Sequence, residues 1–572
     1  MSLRRSGHER PWLQHAQVRC GGGILSDPRG CLVDHLDWLP VAGPDGPREV
    51  PLREALVSAH TFTGLLPDMP TMLPVLLRQV LIPVVLDALG DVDAETWAGM
   101  MAAGAFTAEQ RAAIDQYLDQ YVGRFNVLDS TAPFGQAAGL EHPGGKVHPV
   151  SVLMPHVATG NNTPLWDARL VSDPVPLSLG AATRWMLHAQ CWDTAGIKTA
   201  AVGDPQVQLG KTLGNRTGPL GKLGMVTLLG RTLFETIVLN LPQGPRQAGD
   251  RPHWDRPPMG SAWRVRTPEG ILDFFTWQER RIRLIPDEPE SDSVTQVRWV
   301  VLSAGDRIDG PQVEDPHTCW TIKADKTRGS IRYPRKHLPG LTGWQGLEAL
   351  LTIDRDSAGY ETSSLIMQTA AATLMGDLPA DYPLRAATCG MVYGTKDSIV
   401  SDILSDEVPL PVGALRSDLA VRGSVTLVCN QAQALARTID HLAANLLRAA
   451  GGEPPARGKG QQPGTKLLHT LDPLVRRFLT GCQHNPSDDE LDQAHKAFET
   501  LAEHATRTAA EELLHRLPGT AFTGRTVTKK ERGKTVTTTY QQASAERFFH
   551  SAVRKTLTHL YPQTAPAEET AA

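Results

Sequence analysis

The residues best suited to chemistry fall between Asp193 and Leu241. There the run DTAGIKTAAVGDPQVQLGKTLGNRTGPLGKLG carries too much glycine and too little apolar content to pack. Gly196, Gly203, Gly210, Gly214, Gly218, Gly221 and Gly224 let a backbone come close to something flat or charged. Lys198, Lys211, Arg216 and Lys222 give the stretch a positive sign, so a polyanion is the ligand it suits. The tetrapeptide LGKT at Leu209 to Thr212 has the ending of a phosphate-cradling nucleotide loop. That loop needs a glycine five residues before the Gly-Lys pair, and Pro205 stands there. No GxGxxG unit opens a helix elsewhere, so no nucleotide cofactor is expected. On composition alone, an unliganded surface insertion remains the alternative reading.

Two further stretches concentrate cations. In CWTIKADKTRGSIRYPRKH, Lys323, Lys326, Arg328, Arg332, Arg335, Lys336 and His337 alternate with Trp320 and Tyr333 against the single acid Asp325. In GRTVTKKERGKTVTTTY, Arg525, Lys529, Lys530, Arg532 and Lys534 crowd the turn of an expected hairpin. Both compositions fit a surface that follows phosphates, and both also fit an ordinary solvated face. Trp166, on the turn-rich segment HVATGNNTPLWDARL, can stack on a base or anchor its loop to the core. His35 sits between Asp34 and Asp37 without a nucleophile nearby and reads as structural. No compact pair of carboxylates with supporting ligands suggests a metal-dependent nuclease, so neither a metal nor catalysis is expected.

The elements that would position these residues form an α+β chain. At 572 residues it exceeds what one core can hold, and a formal net charge of −5 leaves room only for local basic patches. Residues 1–30 read as a loosely held extension, 31–405 as a mixed α/β N-terminal domain, 406–561 as a C-terminal four-helix bundle and 562–572 as a disordered tail. A strand pair is expected around Pro44-Asp45-Gly46, and helices over Leu52 to Thr63, over Pro74 to Leu89, and after Thr107, where Thr-x-x-Gln forms a capping box. Strands are expected over the runs containing Arg280, Arg281 and Arg283, and over VTQVRWVVLSAGDRI. MVYGTKDSIVSDIL reads as a strand, a tight turn at Gly394 to Asp397, and a second strand or helix. Arg78 and two prolines interrupt TMLPVLLRQVLIPVVLDALG, so no membrane span is expected. The seven cysteines form no CxxC pair, which fits a reducing cytoplasm.

In the C-terminal third, Val421, Val425, Val428, Ala432, Leu435, Ile439, Leu442 and Leu446 line one face of a long helix ended by Gly451-Gly452. A second helix carries Leu467, Leu471, Leu474 and Phe478. A third begins at the capping box Ser487 to Glu490 and carries Leu491, Ala494, Phe498, Leu501 and Ala505. The fourth carries Phe549, Val553, Leu557 and Leu560.

Taken in order, DHLDWLPV, RFNVLDSTAPFGQ, TGNNTPLWD, LLGRTLFETIVLNLP, FFTWQERRIRL, VEDPHTCW, MVYGTKDSIVSDIL and the terminal helices resemble the CasA family, the large subunits of the type I-E CRISPR Cascade surveillance complex. The resemblance runs from about Cys31 to Tyr561. It implies a non-catalytic protein that reads the protospacer-adjacent motif of double-stranded DNA, helps open the duplex and recruits the helicase-nuclease. Its partners would be the CRISPR RNA, the backbone subunits and the small subunit, with no membrane.

The same resemblance assigns roles. The family's glycine loop against the motif falls at Gly196, Ile197, Lys198 and Thr199, with Gly203 as the other candidate. The wedge hairpin falls at Gly394, Thr395, Lys396 and Asp397, with Lys396 where the family has a glutamine. Asn161, Asn162 and Trp166 match the loop that meets the RNA handle and backbone subunits. For the family's lysine finger the rough match is Ser303, with Arg298 and Arg307 as the nearby cations.

Overall fold

The computed structural model describes residues 32–157, 165, 167–168, 175–207, 211–287, 295–309, 314–325, 327, 329–352, 359–415, 419–455, 462–531 and 534–562. The chain is α+β and divides into two compact units. One comprises Met1–Leu341, Asp356–Ala372 and Ala387–Glu407. The other comprises Thr342–Arg355, Thr373–Ala386 and Val408–Ala572, so two segments upstream of residue 406 join the helical part. The 1–30 extension and the tail from 563 lie outside the described residues.

The first unit opens with the expected strand pair, β1 (Leu39–Gly43) and β2 (Gly46–Val50), antiparallel around a tight turn. After short helical segments over Leu52–Val57 and Ala59–Thr61, where one helix was expected, comes a continuous helical stretch, α1 (Met72–Leu89), which is long and apolar enough to cross a membrane. The helix expected from Pro74 to Leu89 forms, and neither proline breaks it. Pro74 lies in the first turn, where no donor is needed, and a π-helical turn over Leu77–Leu81 precedes Pro83, whose ring has no N–H to give. Within that stretch 78% is buried in the protein, and Arg78 is neutralised inside by Asp315 (2.7 Å) beneath the Phe275 ring. Helix α2 (Ala108–Gln120) starts at the Thr107–Gln110 capping box. Helix α3 (Leu179–Trp192) is buried along nearly its whole length.

After α3 the glycine-rich segment forms β3 (Gly196–Thr199) and β4 (Lys211–Asn215), followed by β5 (Met225–Leu229) and α4 (Leu233–Leu239). Strands β6 (Arg280–Pro286) and β7 (Gln296–Ala304) are antiparallel, and β8 (Trp320–Asp325) pairs with β9 (Gly329–Pro334). Strand β10 (Arg385–Tyr393) lies between β5 and β11 (Val400–Pro409) in a three-stranded sheet.

Several histidines are buried neutral in this unit. Loss of hydration pushes the pKa of His188 and His253 down to about 3. Unfolding returns each to about 6.5, so between those values the unfolded state binds more protons and stability falls as pH falls. The midpoint of urea unfolding should therefore decrease as pH is lowered from 7 towards 5. The slope approaches roughly 1.4 kcal/mol per pH unit for each such histidine once the unfolded form is protonated. A midpoint that is flat over that range would contradict neutral burial.

The second unit holds α5 (Leu419–Ala449), α6 (Pro463–Cys482), α7 (Asp488–His515) and α8 (Gln542–Thr556), with the hairpin β12 (Arg525–Glu531) and β13 (Lys534–Tyr540) inserted before α8. Every residue named for the α5 stripe is buried. In α6 the stripe passes through Val475 rather than Leu474, and Phe549 and Val553 of α8 are buried together with Leu557 directly after it.

The α7 face departs further from its spacing. Leu501 is 45% exposed, while His495, Glu499, Ala502 and Thr506 are buried. A polar network rotates the helix. The Glu499 carboxylate accepts the backbone N–H groups of His559 and Leu560 (both 3.0 Å or less at Oε2) and the Gln431 amide (2.6 Å), while the His495 and His559 rings stack at 4.4 Å. Burying a satisfied carboxylate outweighs burying one leucine, because an unpaired buried acceptor costs more than an exposed side chain. Leu501→Lys should accordingly change stability by less than about 0.5 kcal/mol in chemical denaturation.

Candidate nucleic-acid interface

The segment Gly196–Thr199 is a strand rather than the glycine loop expected. It pairs with β4 through Gly196↔Asn215, Lys198↔Thr212 and Thr199↔Lys211, with a register shift between Gly196 and Lys198. Gly196 has φ +144° with nothing within 4 Å of where a Cβ would stand, and the bulge turns Ile197 outward to 59% exposure. The far end of β3 is tied down, since the Ser303 hydroxyl donates to the Thr199 carbonyl at 2.8 Å. Ser303 is thus a buried brace, while Arg298 pairs with Asp287 at 2.7 Å and Arg307 lies over the Trp263 ring at 3.8 Å. Gly203 is exposed at φ +78° beside Val202, whose N–H donates to the Glu141 carbonyl at 2.8 Å.

Lys198 does not serve as a surface cation. Its ammonium turns inward to Asp193, which also receives Arg280 Nε at 2.5 Å. Burial alone would raise the Asp193 carboxyl, but the two cations hold it at about 2. The expectation placed Lys198 on the polyanion because sequence shows only its charge. The buried acid is what claims it.

Other glycines of the stretch serve the protein's own packing. A Cβ on Gly218 would lie 2.3 Å from the Cys191 carbonyl carbon, and one on Gly224 would lie 2.2 Å from the Arg335 oxygen. Gly221 abuts the Tyr393 ring, whose hydroxyl donates to the Trp192 carbonyl at 2.7 Å. Gly210 lies outside the described residues.

The turn Gly394–Asp397 joins β10 to β11 and is brought against β3. Ala195 N–H donates to the Asp397 carbonyl at 2.9 Å, so two segments about 200 positions apart share one edge. Gly394 N–H donates to Ile399 O at 2.8 Å and Asp397 N–H to Gly394 O at 3.0 Å, closing a tight turn. Lys396 and Asp397 take φ of +55° and +56°, a left-handed conformation costing about 1 kcal/mol or more for each residue with a Cβ. Thr395 and Lys396 are exposed at its tip, and Asp397 turns back to pair with Lys222.

Lys336 joins this group from a third part of the chain. Its pKa is lowered by loss of hydration and next by the Lys222 ammonium, with Asp397 opposing. Lys222 and Lys336 therefore share the Asp397 carboxylate, and the exposed Lys396 adjoins it in the turn, beside a strand that exposes Ile197. Such an edge can follow a phosphate backbone while presenting little side chain to a groove.

Among the remaining expected contacts, Lys323 is exposed on β8 with its ammonium 5.5 Å from the Tyr333 ring centre. Arg332 is used within the protein, over Trp320 at 4.5 Å and paired with Glu361 at 2.9 Å. Lys326 and Arg328 lie outside the described residues, as do Asn161, Asn162, Trp166 and Arg532. Lys529, Lys530 and Lys534 occupy the end of the β12–β13 hairpin, where the backbone register pairs Lys529 with Val536, Lys530 with Thr535 and Lys534 with Glu531. Among the described residues no group of three or more His, Cys, Asp or Glu side chains is arranged to hold a metal ion.

The family model described as CRISPR-associated protein Cse1 matches residues 35–511, most of the chain. The chain belongs to the Cse1 family. A CasA/Cse1 protein of Thermus thermophilus is 27% identical over 463 residues, covering 77% of this chain and 83% of that protein. The crystal structure of Cse1 from Acidimicrobium ferrooxidans superposes with a TM-score of 0.76 at 26% identity, covering 93% of this chain and 99% of that one. A chain of a CRISPR RNA-guided surveillance complex shares the fold with a TM-score of 0.63 at 18% identity, covering 84% of this chain and 99% of that one.

Within this Cse1 fold, sequence reasoning gave Asp193 and Arg280 no role and kept Lys336 in a separate basic stretch. A signal existed for the first two. Arg280 and Arg281 open a largely apolar strand, which requires buried acceptors, and Asp193 directly follows a helix end whose last residues, Cys191 and Trp192, are apolar. Nothing in the spacing joined Lys336 to Lys222 and Lys396.

Proposed function

We propose that this chain is the large subunit of a type I-E Cascade. In the cytoplasm it reads the protospacer-adjacent motif of double-stranded DNA without chemistry of its own, aids duplex opening and R-loop formation, and recruits the helicase-nuclease. The observation that carries this reading is the Ala195–Asp397 hydrogen bond, which unites the β3 edge and the Gly394–Asp397 turn beside Lys222, Lys336 and Lys396. Membership of the Cse1 family and a fold shared with a surveillance-complex chain support it.

On this reading the lysines hold the duplex through salt-sensitive phosphate contacts while the backbone at Gly196 approaches the minor groove. That groove's base-edge code is degenerate, which suits an approach with few side chains. Thr395 and Lys396 then stand where the first base pair beyond the motif must unstack, after which RNA pairing carries sequence recognition. Lys323, Lys326 and Arg328 would extend the phosphate track. Lys529, Lys530, Arg532 and Lys534 would hold the displaced strand. Asn161, Asn162 and Trp166 would meet the CRISPR RNA handle and the backbone subunits, with the small subunit completing the assembly.

The test is a band-shift of assembled complex against targets randomised beside the protospacer, with and without this subunit. Enrichment of a motif only when the subunit is present is the expected outcome. Equal enrichment without it would remove the reading and leave a scaffold role.

A further inference from the structure

We propose that Arg280 is the positioning residue of the DNA-reading strand, its guanidinium clasping both ends of the β3–β4 hairpin and fixing Gly196 and Ile197 beside the Gly394–Asp397 turn. The inference rests on the function proposed above for that edge.

Arg280 is completely buried and spends its donors on four acceptors from three parts of the chain. Nε donates to the Asp193 carboxylate at 2.5 Å, and Nη1 to the Glu279 carbonyl at 2.9 Å. Nη2 donates to the Thr194 carbonyl at 3.0 Å and the Arg216 carbonyl at 2.7 Å. Thr194 lies two residues before β3 and Arg216 directly follows β4, so one planar group closes the base of the hairpin.

The frame behind the clasp is itself fixed. Arg280 N–H donates to Gln190 Oε1 at 2.8 Å and Gln190 Nε2 returns to the Arg280 carbonyl at 3.0 Å, tying β6 to α3. Asp193, at the end of α3, uses its carbonyl to accept Gly218 N–H at 2.9 Å. Lys198 adds a second cation on the same carboxylate from within β3. The guanidinium fork matters because an ammonium at this position reaches the carboxylate but cannot also span two divergent carbonyls.

Arg280→Lys, assembled into complex, tests the clasp by hydrogen-exchange mass spectrometry together with the motif-library band-shift. Exchange at Ala195, Gly218 and the β3–β4 amides should rise about tenfold or more, with the rest of the first unit unchanged. Motif discrimination should fall by about the same factor, while binding to motif-free DNA at matched salt changes by less than about twofold. Lys198→Met, which leaves the clasp intact, should keep hairpin exchange within about twofold of the parent. Exchange that is unchanged or rises throughout the unit in Arg280→Lys overturns the proposal, as does opening of the hairpin by Lys198→Met to the same extent. Local opening with discrimination intact overturns the link to motif reading. Ile197→Asp separates that result from failure of the functional reading, because it alters the exposed edge without touching the clasp. Should Arg280→Lys give no folded protein, Asp193→Asn weakens the clasp at its carboxylate and is read by the same local exchange.

Discussion

Gly218→Ala is expected to destabilise the first unit by about 3 kcal/mol, the upper part of the range for forced overpacking, because the new methyl has no space. Its Cβ would stand 2.3 Å from both the carbon and the oxygen of the Cys191 carbonyl and 2.6 Å from the Trp192 nitrogen. These are backbone atoms of a buried helix, so neither side can give by rotating a side chain. The segment must lift away from α3, breaking the Gly218–Asp193 hydrogen bond and drawing on the carbonyl of Arg216 held by Arg280. Gly196→Ala provides the contrast. Nothing lies within 4 Å of its Cβ, so only the backbone strain at φ +144° remains, about 1 kcal/mol. Thermal unfolding of the two variants separates the cases, and equal melting temperatures would contradict the seating of this stretch against α3.

Replacing Lys222, Lys336 and Lys396 together by alanine is expected to weaken binding of target DNA by about 100-fold at low salt, roughly uniformly across motifs. The slope of log affinity against log salt should become shallower by about 2 to 3, close to one released counterion per lost phosphate contact. Asp397→Asn should act in the opposite direction. It removes the carboxylate that pairs with Lys222 and opposes the patch, while keeping the backbone carbonyl that Ala195 uses. Melting temperature should move little for the triple variant, since Lys222 and Lys396 are solvent-facing. An unchanged salt slope in assembled complex would remove this patch from the DNA path.

The α+β class, the strand pair before Leu52, the capping boxes at Thr107 and Ser487, the β12–β13 hairpin and the α5 stripe were all legible in the sequence, because each depends on neighbours a few residues apart. Val421 through Leu446 repeat at helical spacing, so which face is apolar is set within the helix itself, and that face is the one buried. Matters decided between distant residues were not legible. Lys198 and Lys222 look alike in the sequence, yet one is drawn inward by Asp193 and the other stays at the surface with Asp397. Gly218 and Gly196 look alike too, yet the first exists for the back of a helix and the second for a bulged, open edge. The α7 helix turned away from its leucine spacing because Glu499 had backbone donors to satisfy some 60 residues ahead. Local spacing thus determined which elements form. Charge pairing and steric contact between remote segments, which no short-range pattern encodes, decided which side chains those elements leave at the surface.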